Sequence, residues 1–197
     1  MTAAATPLLE QTGLVHDDLA LVRAAQDGDR HAYGELVRRH WDGVVRVVYR
    51  MCGSPSLAEE AAQEAFIRAW QHLNSYNSKY AFRGWVYRIG INSALDALRR
   101  DKRLVDLETL DEGGQMVDHA AGLEAAAEAS ERARRVQQAI MGLPDASRAV
   151  LVLREYGGLS YAEIATAQNI PLGTVMSRLN AARTQLRKAL AEWMEEV

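Results

Sequence analysis

Thr174 lies three residues before Ser177 and four before Arg178, in the stretch SYAEIATAQNIPLGTVMSRLNAARTQLRKAL that runs from Ser160 to Leu190. On a helix that spacing puts two hydroxyls and a guanidinium on one side. They are the donors and acceptors that contact base edges in a major groove. Arg183, Arg187 and Lys188 follow further along, where backbone phosphates would be met. This is recognition chemistry, in which hydrogen bonds and charge pairs form and no covalent bond changes. Bond-making chemistry finds little support. His16, His31, His40, His72 and His119 are scattered without metal-ligand spacing. Cys52 has no partner two residues away and falls on an apolar stripe, as a core thiol does. No Gly-rich phosphate loop is present. No catalytic residue, metal or cofactor is expected.

The elements that position these groups can be read locally. Ser160 is a helix cap, and Glu163 stands three residues later, at capping-box spacing. A helix over Tyr161 to Gln168 is predicted, burying Ile164 and Ala165. Asn169, Ile170 and Pro171 form a short turn, and Pro171 suits the first turn of a second helix. In that helix Leu172, Val175, Leu179, Ala182, Leu186 and Leu190 are expected to face inward. Thr174, Ser177, Arg178, Ala181, Gln185 and Lys188 are left outward. The pattern is that of a helix-turn-helix.

Two more surfaces stand out earlier in the chain. FRGWVYRIGINSALDALRRDKR, Phe82 to Arg103, aligns Arg88, Asn92, Asp96, Arg100 and Arg103 along one helical side, with Arg99 adjoining. Tyr76, Tyr80, Phe82, Trp85 and Tyr87 gather just before and within it. Aromatic rings beside cations are what a single-stranded nucleic acid site uses. Core aromatics with a solvated basic face would give the same pattern, and spacing alone does not separate the two. LAEEAAQEAFIRAW, Leu57 to Trp70, is opposite in charge: Glu59, Glu60, Gln63 and Glu64 crowd one face. Such a face repels DNA and suits a basic protein partner. Acids early in a helix also favour its dipole.

The formal net charge is −3, which argues against a chain that binds nucleic acid unaided. The charge is unevenly spread. No Lys or Arg occurs from Leu104 to Glu131, where Asp106, Glu108, Asp111, Glu112 and Asp118 fall. Acid-rich, Gly-punctuated sequence of this kind buries little, so a linker is expected over 104–121. The flanks read as helix throughout. Tyr33, Val37, Trp41, Val44, Val48 and Cys52 form one apolar stripe; Ala62, Phe66, Ala69, Trp70 and Leu73 a second; Phe82, Trp85, Val86, Ile89, Leu95 and Leu98 a third. VLVL, Val150 to Leu153, is a lone strand-like run, too short to outweigh its helical flanks. The expected fold class is all-α, with two small helical domains joined by a flexible acidic linker. The expected boundaries are a tail over 1–16, a first domain over 17–103, the linker over 104–121 and a helix-turn-helix domain over 122–197. No membrane span, no secretory leader and no disulfide are expected, which fits the cytoplasm. A stand-alone operator-binding regulator would use the same motif, but it commonly dimerises, and no added dimerisation helix is expected from the residues after Leu190.

Taken together, these segments resemble the extracytoplasmic-function (ECF) sigma factors of bacterial RNA polymerase. ELVRRHWDGVVRVVYRMCG followed by AEEAAQEAFIRAW resembles that family's domain σ2. AFRGWVYRIGINSALDALRR resembles the part of σ2 that opens and reads the promoter −10 element. LPDASRAVLVLREYGGLSYAEIATAQNIPLGTVMSRLNAAR resembles domain σ4, which reads the −35 element. The resemblance implies that Glu59, Glu60, Gln63 and Glu64 dock on core polymerase at its clamp, with σ4 on the flap. It implies that Tyr80, Arg88, Asn92, Arg99 and Arg100 meet the melted −10 strand, whose flipped base costs a few kcal/mol to unstack. Thr174, Ser177, Arg178, Arg183 and Arg187 would meet the −35 duplex. The linker would thread the polymerase cleft, its acids mimicking nucleic acid. A cognate anti-sigma factor is implied as a further partner. Modest basic charge then suffices, because the polymerase holds two weak DNA readers at high effective concentration.

Overall fold

The structure is a computed structural model that describes residues 18–78, 80–105 and 123–195. The tail expected over 1–16 and nearly all of the linker expected over 104–121 lie outside these residues; Leu104 and Val105 still belong to a helix. The described residues form helices α1 (18–26), α2 (Arg30–Cys52), α3 (Pro55–Gln71), α4 (Phe82–Val105), α5 (Leu123–Met141), α6 (Asp145–Glu155), α7 (Tyr161–Gln168) and α8 (Leu172–Glu195), with a short 3₁₀ turn at Leu73–Ser75. None is long and apolar enough to cross a membrane.

Local chemistry sets the helix ends. The Asp29 carboxylate accepts from the His31 amide at 2.8 Å and the Ala32 amide at 3.2 Å, which starts α2. Gly53, at φ 75°, lets α2 stop in a left-handed turn. Ser54 then caps α3, with Pro55 in its first turn. Asn169 ends α7 at φ 52°, a conformation that Asn tolerates better than most residues.

Helices α2, α3 and α4 pack around Leu36, Val44, Val47, Val48, Met51, Ala62, Phe66, Phe82, Val86 and Ile91, all buried. Gly90 permits the crossing of α4 over α2, since a Cβ there would lie 3.0 Å from Val48 Cγ2 and 3.3 Å from Val44 Cγ1. The second unit, α5 to α8, closes over Ile140, Leu143, Leu159, Ile164, Val175, Leu179 and Ala182. All four residues of the VLVL run are buried within α6. The middle of α6, from Arg148 to Leu153, is enclosed on every side, so its apolar run loses the helical period.

The two units also touch each other among the described residues. α5 and α6 pack on α2, and α7 packs on α4. A single apolar core runs through both.

Candidate nucleic-acid interface

The first candidate face is built on α4 and the loop before it. Tyr76, Phe82 and Trp85 form an aromatic cluster with centroids 5.1 to 5.8 Å apart. Phe82 is fully buried, whereas Trp85 and Tyr76 are half-buried. The Tyr76 hydroxyl donates to the Tyr80 carbonyl and so holds the loop that presents Tyr80, 48% exposed. Burial, with the nearby Asp18 charge, pushes the Tyr76 phenol up to about 12, so it remains a donor at neutral pH. Arg88, Asn92, Arg99 and Arg100 all lie exposed along α4. The sequence reading grouped core and surface aromatics together; the structure divides them, with Phe82 and Tyr87 buried and Tyr80 out in solvent.

The acidic face of α3 lies next to this basic side. Glu59, Glu60 and Gln63 are exposed and Glu64 is partly covered. The two faces share an edge through ion pairs. Glu60 lies 3.9 Å from Arg100, Arg68 bridges Glu64 at 2.7 Å and Asp96 at 3.4 Å, and Asp96 reaches Arg99 at 3.4 Å. Trp70, expected in the core stripe, is 37% exposed. It rests on Tyr33, with ring centroids 4.7 Å apart, at the rim of α3 and α2. Ile67, 46% exposed, continues the acidic face toward it.

The helix-turn-helix forms as its residues require. The Ser160 hydroxyl accepts from the Glu163 amide at 3.2 Å, and the Glu163 carboxylate accepts from the Ser160 amide at 2.7 Å. Ser177 is exposed, and its hydroxyl donates to the Thr174 carbonyl at 3.1 Å. Thr174 and Arg178 are half-buried. Arg183 is held by Glu155 at 2.8 Å, so its charge is already partly met. Arg187 is exposed and bonds back to the Arg183 carbonyl at 3.4 Å. Leu172, expected inward, is instead 44% exposed, because the turn through Pro171 brings α8 in with its first residues outside the core. Met176 follows on the same side at 49%.

The structure also places α7 over the α4 face. Ser75, Tyr80, Trp85 and Arg88 on one side and Glu163 and Thr166 on the other enclose a cleft of roughly 600 Å³. Arg83 donates to Glu163 across it at 3.1 Å. Tyr80 and Arg88 also share a hollow with Asn169 and Pro171, where α8 begins. The Tyr87 side chain fills the space beside Gly43 of α2 and Gly157 of the α6–α7 turn, where an added Cβ would lie 2.5 Å from its hydroxyl oxygen and 3.1 Å from its ring, respectively. Arg50 donates to Gln137 at 2.9 Å and lies 4.5 Å from the centroid of the Tyr156 ring. Burial pushes the Glu163 carboxyl up, but bonds from Ser160 and the Arg83 guanidinium outweigh it and leave the pKa below the ordinary value. A lowered folded pKa contributes stability that is complete above the unfolded value of about 4.3 and disappears as pH falls through the folded value. The α4–α7 contact is therefore expected to hold at neutral pH and loosen in acid. Energy transfer between dyes on the two units would report it, and a signal that stays unchanged through acid until helical structure itself is lost would count against it.

The amino-acid pattern has known counterparts. The sequence model of sigma-70 region 2 matches residues 36–104, and that of sigma-70 region 4 matches residues 133–186. The ECF RNA polymerase sigma factor SigW of Bacillus subtilis is 35% identical over 178 residues, covering 87% of this chain and 95% of its own. The ECF RNA polymerase sigma-E factor of Escherichia coli is 36% identical, covering 84% of this chain and 90% of its own. The structure of CnrH in complex with the cytosolic domain of CnrY superposes with a TM-score of 0.66 at 25% identity, over 89% of this chain and 98% of that one. With both region models in order and relatives aligned over nearly their full length, the chain belongs to the ECF RNA polymerase sigma factors.

Proposed function

We propose that this sigma factor divides promoter recognition between its two units, 17–103 and 122–197. Glu59, Glu60, Gln63 and Glu64 of α3 dock on core polymerase. Tyr80, Arg88, Asn92, Arg99 and Arg100 receive the melted −10 strand. On the −35 duplex, Thr174, Ser177 and Arg178 meet bases, while Arg183 and Arg187 meet phosphates. The observation that carries this reading is the juxtaposition on α3 and α4 of an exposed acidic face and an exposed Arg/Asn face flanked by an open tyrosine. The acids would repel a phosphate backbone, so that side requires a protein partner, while the adjoining side accepts nucleic acid. The chain acts in the cytoplasm, has no enzymatic activity of its own, and is restrained by a cognate anti-sigma factor.

The test combines the full chain with bacterial core RNA polymerase and a pool of promoter fragments, scoring run-off transcripts and DNA retention. Transcripts are expected only with both proteins present. Tight sequence-specific retention by the chain alone, with no gain from polymerase, would overturn the reading. The docking face has its own test. Glu59→Lys with Gln63→Lys reverses one charge and adds a positive one at two exposed positions. It is expected to weaken core-polymerase binding about tenfold to a hundredfold while leaving the thermal midpoint unchanged. Equal affinity for variant and parent would move the docking site off α3.

A further inference from the structure

The start of α8 has a feature that its hydrogen-bonding residues leave unexplained. Leu172 and Met176, four residues apart, are 44% and 49% exposed on one side of the helix's first turns. The core side is already filled by Val175, Leu179 and Ala182, so neither is a displaced core residue. Their exposed neighbours are Gly173, Ser177 and Asn180, small or polar groups that leave the two apolar side chains standing proud. The first turns of the second helix of a helix-turn-helix enter the major groove. There the apolar group that a base pair offers is the thymine C5 methyl. The surrounding charge suits the same occupant, since the exposed Arg187 falls on the same side of the helix three turns further on.

We propose that Met176, with Leu172 one turn before it, reads thymine methyl groups in the upstream promoter element, so that part of this chain's promoter preference comes from apolar contact. The inference rests on α8 being the base-reading helix. A methionine fits the task because its unbranched, polarisable chain adapts to a methyl of variable position.

The experiment uses holoenzyme assembled from the full chain and core polymerase, and selects duplex fragments randomised in the upstream region. Each thymine of the preferred fragment is then replaced by deoxyuridine, which removes the C5 methyl and nothing else. At one or two neighbouring positions the exchange is expected to weaken binding about fourfold, the effect of one buried methyl-sized group. Met176→Gln should erase that difference, whereas Met176→Leu should retain it. Both positions are exposed, and melting curves matching the parent's would exclude a folding defect. If uridine and thymine bind alike everywhere, or their difference survives Met176→Gln, the proposal is overturned while the selected sequence keeps α8 as the base reader. If selection returns no upstream preference, the assignment of α8 fails and the proposal with it. If Met176→Gln instead weakens polymerase binding without DNA, this side of α8 docks protein and the thymine reading is wrong.

Discussion

Replacing Arg148 with alanine is expected to lower stability by about 3–5 kcal/mol, read as a drop in the urea midpoint at unchanged slope. The residue is only 6% exposed. Its guanidinium donates to the Met51 carbonyl at 2.8 Å, the Met141 carbonyl at 2.8 Å and the Leu143 carbonyl at 2.9 Å. One of these acceptors lies at the end of α2, one at the end of α5 and one in the turn that follows α5, so one planar group ties down two helix termini in different units. Each bond from a charged donor contributes about 1.5–3 kcal/mol, and carbonyls left without donors inside the protein add to the loss. Arg148→Lys should recover less than half, because an ammonium is a point charge and does not fork between two helix ends. A loss below about 1 kcal/mol for the alanine variant would mean that water replaces the guanidinium and that the buried site is not closed.

Arg83→Glu is expected to raise the affinity for core polymerase, measured without DNA, by about tenfold. Arg83 faces Glu163 at 3.1 Å in the contact that holds α7 over the α4 cleft. In this arrangement Tyr80, Trp85 and Arg88 line a cleft shared with α7, although Tyr80 and Arg88 keep exposed surface, and α8 begins beside the same hollow as Arg88. A polymerase that engages the two units at separate places must first part them. Only the open fraction of the free chain is then competent, and apparent affinity falls by that fraction. Exchanging an attraction for a repulsion at this distance is worth a few kcal/mol at an effective dielectric of about 20, less after solvent screening. About 1.4 kcal/mol suffices for a tenfold change. The exchange leaves the Ser160–Glu163 capping box of α7 intact, since Arg83 belongs to the other unit. Small-angle scattering should show a larger radius of gyration at low salt, converging with the parent's at high salt. An unchanged radius and unchanged affinity would mean that the remaining contacts, such as Gln137 on the ends of α2, hold the units closed unaided.

Much of the helix-turn-helix was legible because its determinants are local. Ser160 and Glu163 lie within one turn, Asn169 takes the left-handed turn alone, and Pro171 fixes where α8 can begin. The all-helical class followed from the apolar period for the same reason. Arg148 was not legible. A guanidinium four residues into a helix reads as surface, and its partner at Met51 is distant in the chain. Nor was the union of the two units, to which Tyr87 of α4 contributes by meeting Gly157 in the α6–α7 turn. Trp70 and Leu172 were placed inward because spacing assigns a residue to a side of a helix without saying where the neighbouring helix stops. Both sit at such a limit, Trp70 near the end of α3 and Leu172 at the start of α8. The acidic and basic faces were each found, but spacing within a helix does not reveal that α3 and α4 lie side by side.

That shared edge has a thermodynamic consequence. Glu60 cannot give its charge fully to a docking partner while holding Arg100, and Arg100 cannot give its own fully to a phosphate while holding Glu60. Whichever ligand arrives first releases a group for the other, so each must raise the other's affinity by the same factor. For one pair this exposed the coupling is worth at most about 1 kcal/mol, roughly fivefold. Glu64, Arg68, Asp96 and Arg99 extend the same arrangement along the edge. Where two opposite charges border each other, commitment to an enzyme and commitment to a strand become a cooperative event.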